Sequence, residues 1–180
     1  RLINAAQKGT RRATGPIHNK IGVRELLEAM REHDHYKSPL LGPHRGRGVA
    51  IGFWFNIGLP STCTISVTED GKLNLSEGNP DIGGTRTTIA MQAAEALHLD
   101  AHDVNPNVLD TDLIGFTELT AGSRTTFATG YAAYEAALDI KRQMIRRLAQ
   151  IWEVNPAEID YVGRVFSNRK DTNMSITFEN

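Results

Sequence analysis

The chain has 180 residues, enough for one domain with a sizeable core. Its formal net charge of -1 predicts no basic face for nucleic acid, and its one cysteine, Cys63, excludes an internal disulfide framework. No apolar run approaches the roughly twenty residues that span a bilayer, and no signal peptide opens the chain. We therefore expect a cytoplasmic protein with neither a nucleic acid nor a membrane as partner, and the start at Arg1 suggests a processed product or a piece of a longer chain.

The first 45 residues are predicted to be a connector with one short helix. Residues 1–20 are polar and basic, and from Val23 apolar residues recur at helical spacing as far as Met30, which predicts a helix that ends near His33. Two prolines and two glycines in residues 34–47 predict a loop. We assign residues 46–180 to a separate domain.

Strict alternation over residues 48–57 predicts a β-strand. Its apolar face would hold Val49, Ile51, Phe53, Phe55 and Ile57. Residues 62–68 and 72–77 alternate in the same way around a turn at 69–71, which predicts a hairpin.

The second half of the chain is predicted to hold two helices, at residues 85–99 and 123–152. The second, at roughly 28 residues and 1.5 Å each, would be about 42 Å long. Between them, residues 104–109 predict a short strand broken by Pro106, which argues against a central position in a sheet. Residues 159–166 and 174–178 predict two final strands. The fold class is α+β: a mixed sheet with hairpins, covered by two or three helices that include one long helix.

Two turns rich in glycine and hydroxyl groups precede the predicted helices. The first glycine turn (residues 81–88) reads Asp-Ile-Gly-Gly-Thr-Arg-Thr-Thr, and the second glycine turn (residues 120–126) reads Thr-Ala-Gly-Ser-Arg-Thr-Thr. Because the first amides of a helix have no internal partner and lie at the positive end of its dipole, both turns suit a phosphate. Ordinary helix caps would give the same residues, and neither turn matches the Gly-x-x-x-x-Gly-Lys phosphate loop.

Four elements in order resemble a known family, and together they cover most of residues 46–150. They are the Gly-Arg-Gly segment at 46–48, the first glycine turn with its helix, the acidic run Asp110-Thr111-Asp112, and the second glycine turn followed by Gly130. The chain resembles the large, molybdopterin-binding subunit of the xanthine dehydrogenase and aldehyde oxidase family, which includes the aerobic-type carbon monoxide dehydrogenases.

The resemblance implies that both turns bind the molybdenum–molybdopterin cofactor, including its cytosine dinucleotide form, through the phosphate-bearing tail. The implied cofactor-binding residues are Gly83, Gly84, Thr85, Gly122, Ser123, Arg124, Thr125 and Thr126. A guanidinium can bind a phosphate with two hydrogen bonds, so Arg124 is the expected charged donor. Its alternative role is an ion pair with Asp112 or Glu118.

The chain departs from the family's pattern at one point of the first glycine turn. Many members have Gln-Gly after Asp-Ile-Gly, whereas this chain has Gly84 and Thr85, so a side-chain amide is missing. The family's Phe-Gly-Gly loop and its glutamate general base do not occur in these residues. We assign no catalytic residue, and the spacing of the six histidines predicts no metal ligand.

The resemblance implies a segment of a molybdenum hydroxylase that inserts oxygen from water into an aldehyde or an N-heterocycle. We expect the 180 residues to be inactive alone. Implied partners are the rest of the molybdenum subunit and the subunits or domains that carry iron-sulfur clusters and FAD, and a homodimer is an open alternative. Two other functions stay open: a binding or assembly module without cofactor, and a phosphotransfer enzyme, against which the missing phosphate-loop lysine argues.

Overall fold

The computed structural model describes residues 1–54 and 56–180 and divides into two compact units, Arg1–Phe53 and Trp54–Asn180. The first unit holds two helices, α1 (Val23–Glu32) and α2 (Asp34–Lys37). The predicted first helix is confirmed, whereas the one-turn helix α2 lies in the predicted loop. It forms because the His33 side chain accepts a hydrogen bond from the His35 amide and caps the turn, and four residues are too few to show helical periodicity.

The predicted strand at residues 48–57 is wrong for the residues that the structure describes, and Phe55 lies outside them. None of residues 48–54, 56 and 57 belongs to a strand, and the Phe53 and Trp54 side chains are each 69% exposed. Alternation indicates only which face a strand would bury, and a strand also needs a hydrogen-bonded neighbour. At Ile57 the chain instead donates its amide to the carbonyl of Gly122.

The second unit contains a three-stranded mixed sheet of β1 (Cys63–Val67), β2 (Leu73–Glu77) and β3 (Val104–Val108), in that order. β1 and β2 are the predicted antiparallel hairpin, and β2 pairs with β3 in parallel. β3 is an edge strand, as Pro106 requires, because proline has no amide to donate.

The parallel pair is joined by α3 (Thr85–Ala96), which packs against the long helix α4 (Gly130–Ile151). Small residues bring the two helices together, and the alanines that they bury completely or nearly so are Ala90, Ala93, Ala94, Ala133 and Ala137. At Gly130 even a β-carbon would overlap the Gln92 side chain. The α+β class with one long helix is confirmed.

α4 is shorter than predicted, because its 22 residues span about 33 Å. The predicted first turns of the helix are instead the left-handed pair Gly122–Ser123 and a π-helical turn at Thr125–Thr129. Phe127 and Tyr131 have the helical spacing of apolar residues on a buried face, yet both side chains are about 60% exposed. The residues that α4 buries are mostly small, and they are Gly130, Ala133, Ala137, Ile140, Leu148 and Ala149.

A second, antiparallel sheet contains β4 (Ile159–Val162), β5 (Val165–Asn168) and β6 (Ser175–Thr177). The single strand predicted over residues 159–166 is wrong: Gly163 and Arg164 both take positive φ and turn the chain into a two-residue hairpin. The Tyr161 hydroxyl donates a 2.5 Å hydrogen bond to the Leu97 carbonyl just after α3, and burial raises the pKa of Tyr161 to about 12. This contact fixes the second sheet against the C-terminal end of α3.

Candidate functional site

The first glycine turn places two consecutive residues in the left-handed region, Gly83 at φ 62° and Gly84 at φ 82°. Other residues rarely take this conformation. The turn is closed by local contacts, because Asp81 Oδ1 accepts from the Arg86 amide at 3.2 Å and Thr85 Oγ1 accepts from the Ile82 amide at 3.1 Å. A β-carbon on either glycine would have no neighbour within 4 Å, so the turn presents open backbone.

The second glycine turn repeats this backbone path with Gly122 at φ 62° and Ser123 at φ 55°. Its contacts come from far along the chain. The Asn56 side chain donates to the Ser123 carbonyl at 2.6 Å, and the Ile57 amide donates to the Gly122 carbonyl at 3.1 Å. A β-carbon at Gly122 would lie 2.7 Å from that of Ile57, so this glycine is required for packing as well as for φ.

Arg124 is fully buried and joins the second glycine turn to two other segments. Its guanidinium donates to the carbonyls of residues 58–60, to those of residues 118 and 119, and to the Ser61 hydroxyl, over 2.5 to 3.3 Å. A guanidinium has five N–H groups, so these acceptors use its whole donor capacity. Among the described residues, Arg124 forms no ion pair with Asp112 or Glu118, which was its alternative role. Its hydrogen bond to Glu118 is to the backbone carbonyl.

The two turns line one cavity of about 320 Å³. Its walls come from Ile82, Thr85, Thr120, Ala121, Ser123, Arg124, Thr125 and Thr126. Five of the eight predicted cofactor-binding residues are therefore together at one cavity, and the three glycines lie in the turns that form it. The wall contains no carboxylate, which suits an anion.

Several donors at this cavity have no acceptor within the described part of the chain. At its wall these include the backbone amides of Ser123, Thr125 and Thr126, and the amides of Gly83 and Gly84, in the first glycine turn, also lack an acceptor. The side-chain hydroxyls of Ser123, Thr125 and Thr126 likewise have no hydrogen-bond partner among the described residues. Free amides and hydroxyls around a cavity without carboxylates form a site that can accept phosphate oxygens. The assignment of the eight residues to a cofactor stays a prediction.

Beneath the two turns lies a buried polar network that the sequence did not indicate. Asn79, 1% exposed, donates from its side chain to Thr129 Oγ1 and accepts at 3.2 Å from the Thr120 hydroxyl. Thr129 Oγ1 lies 2.9 Å from Ser61 Oγ, which accepts from Arg124. The only sequence signal was the position of a small amide residue two positions before the first glycine turn.

Glu77 ends the network at the last residue of β2 and is also 1% exposed. Its Oε2 accepts the Asn79 amide at 2.6 Å, whereas its Oε1 has no partner among the described residues. Burial raises the pKa of Glu77, an effect that the hydrogen bond from Asn79 opposes.

The described residues offer neither a membrane-spanning helix nor a cluster of metal ligands. No helix among them is both long and apolar enough to cross a membrane. No group of three or more His, Cys, Asp and Glu side chains in the same residues is placed to hold a metal ion. The cavity between the two glycine turns is thus the site that the predicted residues support.

Comparisons with known proteins bear on residues 18–180, which match the profile of the molybdopterin cofactor-binding domain family. The probable hypoxanthine oxidase XdhD of Escherichia coli K12 is 30% identical over 159 residues, which are 84% of this chain and 16% of that protein. The gamma subunit of the 6-hydroxypseudooxynicotine dehydrogenase complex of Paenarthrobacter nicotinovorans is 27% identical over 127 residues, 67% of this chain and 16% of that one.

A reconstituted CO dehydrogenase from Oligotropha carboxidovorans has a similar fold, with a TM-score of 0.62 at 24% identity. The match covers 67% of this chain and 15% of that chain. The present chain therefore spans about a sixth of the length of the relatives that it matches.

Proposed function

This chain belongs to the molybdopterin cofactor-binding domain family, and we propose that its two glycine turns hold the phosphate-bearing tail of a molybdopterin. One observation carries the proposal: both turns line a single cavity, and the amides of Ser123, Thr125 and Thr126 at its wall have no partner in the described chain. A phosphate needs several donors arranged around one point, which two separate helix starts supply only when they converge.

The eight predicted residues have different roles in this proposal. Gly83 and Gly84 let the backbone reach the ligand, and Gly122 makes room for Ile57 in the second turn. Thr85, Ser123, Thr125 and Thr126 donate amide or hydroxyl hydrogens. Arg124 lines the cavity with its donors bound to carbonyls, so its contribution is to fix the second glycine turn and to add positive charge beside the anion.

The proposed ligand is molybdenum–molybdopterin in its cytosine dinucleotide form, whose additional phosphate would use the second turn. When bound, the cofactor supplies the oxidation chemistry by which oxygen from water enters a carbon-hydrogen bond of an aldehyde or an N-heterocycle. The residues of this chain bind and orient it and keep the tail out of bulk water. We assign the catalytic base to another part of the protein, so these 180 residues alone would show no turnover.

The rest of the assembly is part of the same proposal. We assign residues 1–45 to a connector with a short helix and residues 46–180 to part of the cofactor domain. The partners are the remainder of the molybdenum subunit and the iron-sulfur and FAD subunits or domains, in the cytoplasm. One relative is itself named as a subunit of a dehydrogenase complex, which supports the multi-subunit arrangement.

The test is a titration of the ¹⁵N-labelled chain with inorganic pyrophosphate, followed by the amide signals of both turns. We expect Gly83, Gly84, Ser123 and Thr126 to shift along one binding curve, since a single anion would contact both turns. ATP in place of pyrophosphate tests the phosphotransfer alternative. Signals that do not move with pyrophosphate, together with a longer protein purified without molybdenum, would contradict the proposal.

A further inference from the structure

The buried network places one side chain, Asn79, between the two glycine turns. Its amide N–H donates to Glu77 at the end of β2, its side-chain NH₂ donates to Thr129, and its side-chain oxygen accepts from Thr120. These three bonds reach three separate segments from a residue with almost no exposed surface.

Both turns are close to Asn79 along the chain or through one hydrogen bond. Asp81, two residues later, closes the first glycine turn through the Arg86 amide. Thr120 belongs to the cavity wall, and Thr129 ends the π-helical turn that follows the second glycine turn. A shift of Asn79 would therefore change the separation of the two turns.

An asparagine is suited to this place because one planar group carries both a donor and an acceptor. A carboxylate has no donor for Thr129, and an alanine would leave the Thr129 and Thr120 hydroxyls without their buried partner. Buried groups that lose a partner are destabilising, so the network has few alternative arrangements.

We propose that Asn79 is a positioning residue that holds the two glycine turns at the separation one anionic ligand requires. This inference rests on the proposed binding of a phosphate-bearing ligand. Asn79 does not touch the ligand, and it acts through Thr120 on one side and the residues leading to Asp81 on the other.

The experiment compares N79A and N79D with N168A and N168D. Asn168 is a matched control because it is also buried, accepts from the Lys170 amide and lies in β5 of the other sheet. Inorganic pyrophosphate is the probe, and the same amide signals are followed. In wild type and in the Asn168 variants, the amide signals of both turns should follow one binding curve. In N79A and N79D the affinity for pyrophosphate should fall about tenfold, and the signals of the two turns should follow separate curves.

The pH dependence of N79D distinguishes positioning from a general loss of structure. The new carboxyl, when protonated, can donate to Thr129 and accept from Thr120, as the asparagine does. Glu77 and Asp81 are the acidic groups near this position, and the basic ones are Arg86 and the buried Arg124, which reaches it through Ser61 and Thr129. The affinity of N79D relative to wild type at the same pH should therefore recover from pH 8 to pH 5, whereas that of N79A should not.

Ligand-free spectra keep this inference separate from the proposed function. If Asn79 couples the turns, N79D shifts the amide signals of both turns before any ligand is added. Shifts confined to residues 120–129, or N79 variants that bind pyrophosphate as wild type does, would overturn the inference. If wild type fails to bind pyrophosphate and the longer protein is purified without molybdenum, the proposed function fails, and the inference fails with it because no anion remains to be positioned.

Discussion

The two glycine turns have the same backbone conformation but are stabilised by different parts of the chain. The first is closed by Asp81 and Thr85 within six residues, and its glycines face open space. The second depends on Asn56, Ile57 and the carbonyls around residue 59, more than 60 residues earlier. One backbone conformation can thus be set locally or by distant contacts, and the two should respond differently to substitution.

The largest difference is expected at the two arginines. Replacing Arg124 by Ala removes the donor for five carbonyls and should lower the free energy of unfolding by about 3 kcal/mol or more. Replacing the exposed Arg86, whose ion pair with Asp81 is 3.5 Å long, should lower it by less than about 1 kcal/mol. Chemical denaturation measures both, and R124K provides a folded variant should R124A not fold. Equal losses would mean that the second turn is not held by Arg124.

A smaller difference is expected at the glycines. G122A combines a strained φ with overlap against Ile57 and should lower the unfolding free energy by about 2–4 kcal/mol. G84A introduces only the strained φ and should lower the unfolding free energy by about 1–2 kcal/mol. In a double-mutant cycle, I57G should recover part of the loss in G122A, because it removes the β-carbon of residue 57 together with the rest of the side chain in contact; additivity of the two losses would argue against the overlap.

The hydroxyl groups separate ligand binding from stability. T126V removes a hydroxyl that lines the cavity and has no recorded partner, so pyrophosphate affinity should fall about tenfold while Tm is unchanged. T88V removes a hydroxyl that donates to the Gly84 carbonyl in the first turn and lies outside the cavity wall, so it should lower Tm slightly and leave affinity near wild type. Calorimetric titration measures the pyrophosphate affinity of both variants, and thermal unfolding measures their Tm. A loss of affinity in T88V with none in T126V would contradict the prediction.

The smallest effect concerns Glu77, beneath both turns. Burial raises its pKa in the folded state, so the folded protein binds the proton more tightly and wild type loses stability as pH rises from the usual value near 4.5 through the raised pKa. E77Q lacks this titration. Its Tm relative to wild type should be higher at pH 8 than at pH 4, measured by thermal unfolding, and E69Q in the exposed hairpin turn should show no such change.

The sequence alone was sufficient to predict the structure where the conformational limits of single residues determine it. The turn at Gly71, the helix start after Gly84 and the edge position of Pro106 each follow from the conformational limits of one residue. The sequence also indicated Thr85, Ser123 and Thr126, which line one cavity, although their role in binding a cofactor stays a prediction.

Prediction failed where distant residues decide the outcome. The alternation at 48–57 contained no sign of whether a neighbouring strand exists, and the exposed Phe127 and Tyr131 have the spacing of a buried face. Ser123 takes a left-handed conformation that its residue type does not favour, because Asn56 and Ile57 bind the turn around it. The bonds from Arg124 to residues 58–61 were likewise invisible to a local pattern.

The alanine contact between α3 and α4 has a consequence for evolution of the site. Alanine has no side-chain rotamers, so a larger residue at the fully buried Ala93 or Ala133 would push one helix away from the other. Each helix begins beside one glycine turn, and such a movement would widen the ligand cavity from a distance. Ligands of different size could thus be selected by substitutions at the helix contact that leave every residue of the cavity wall unchanged.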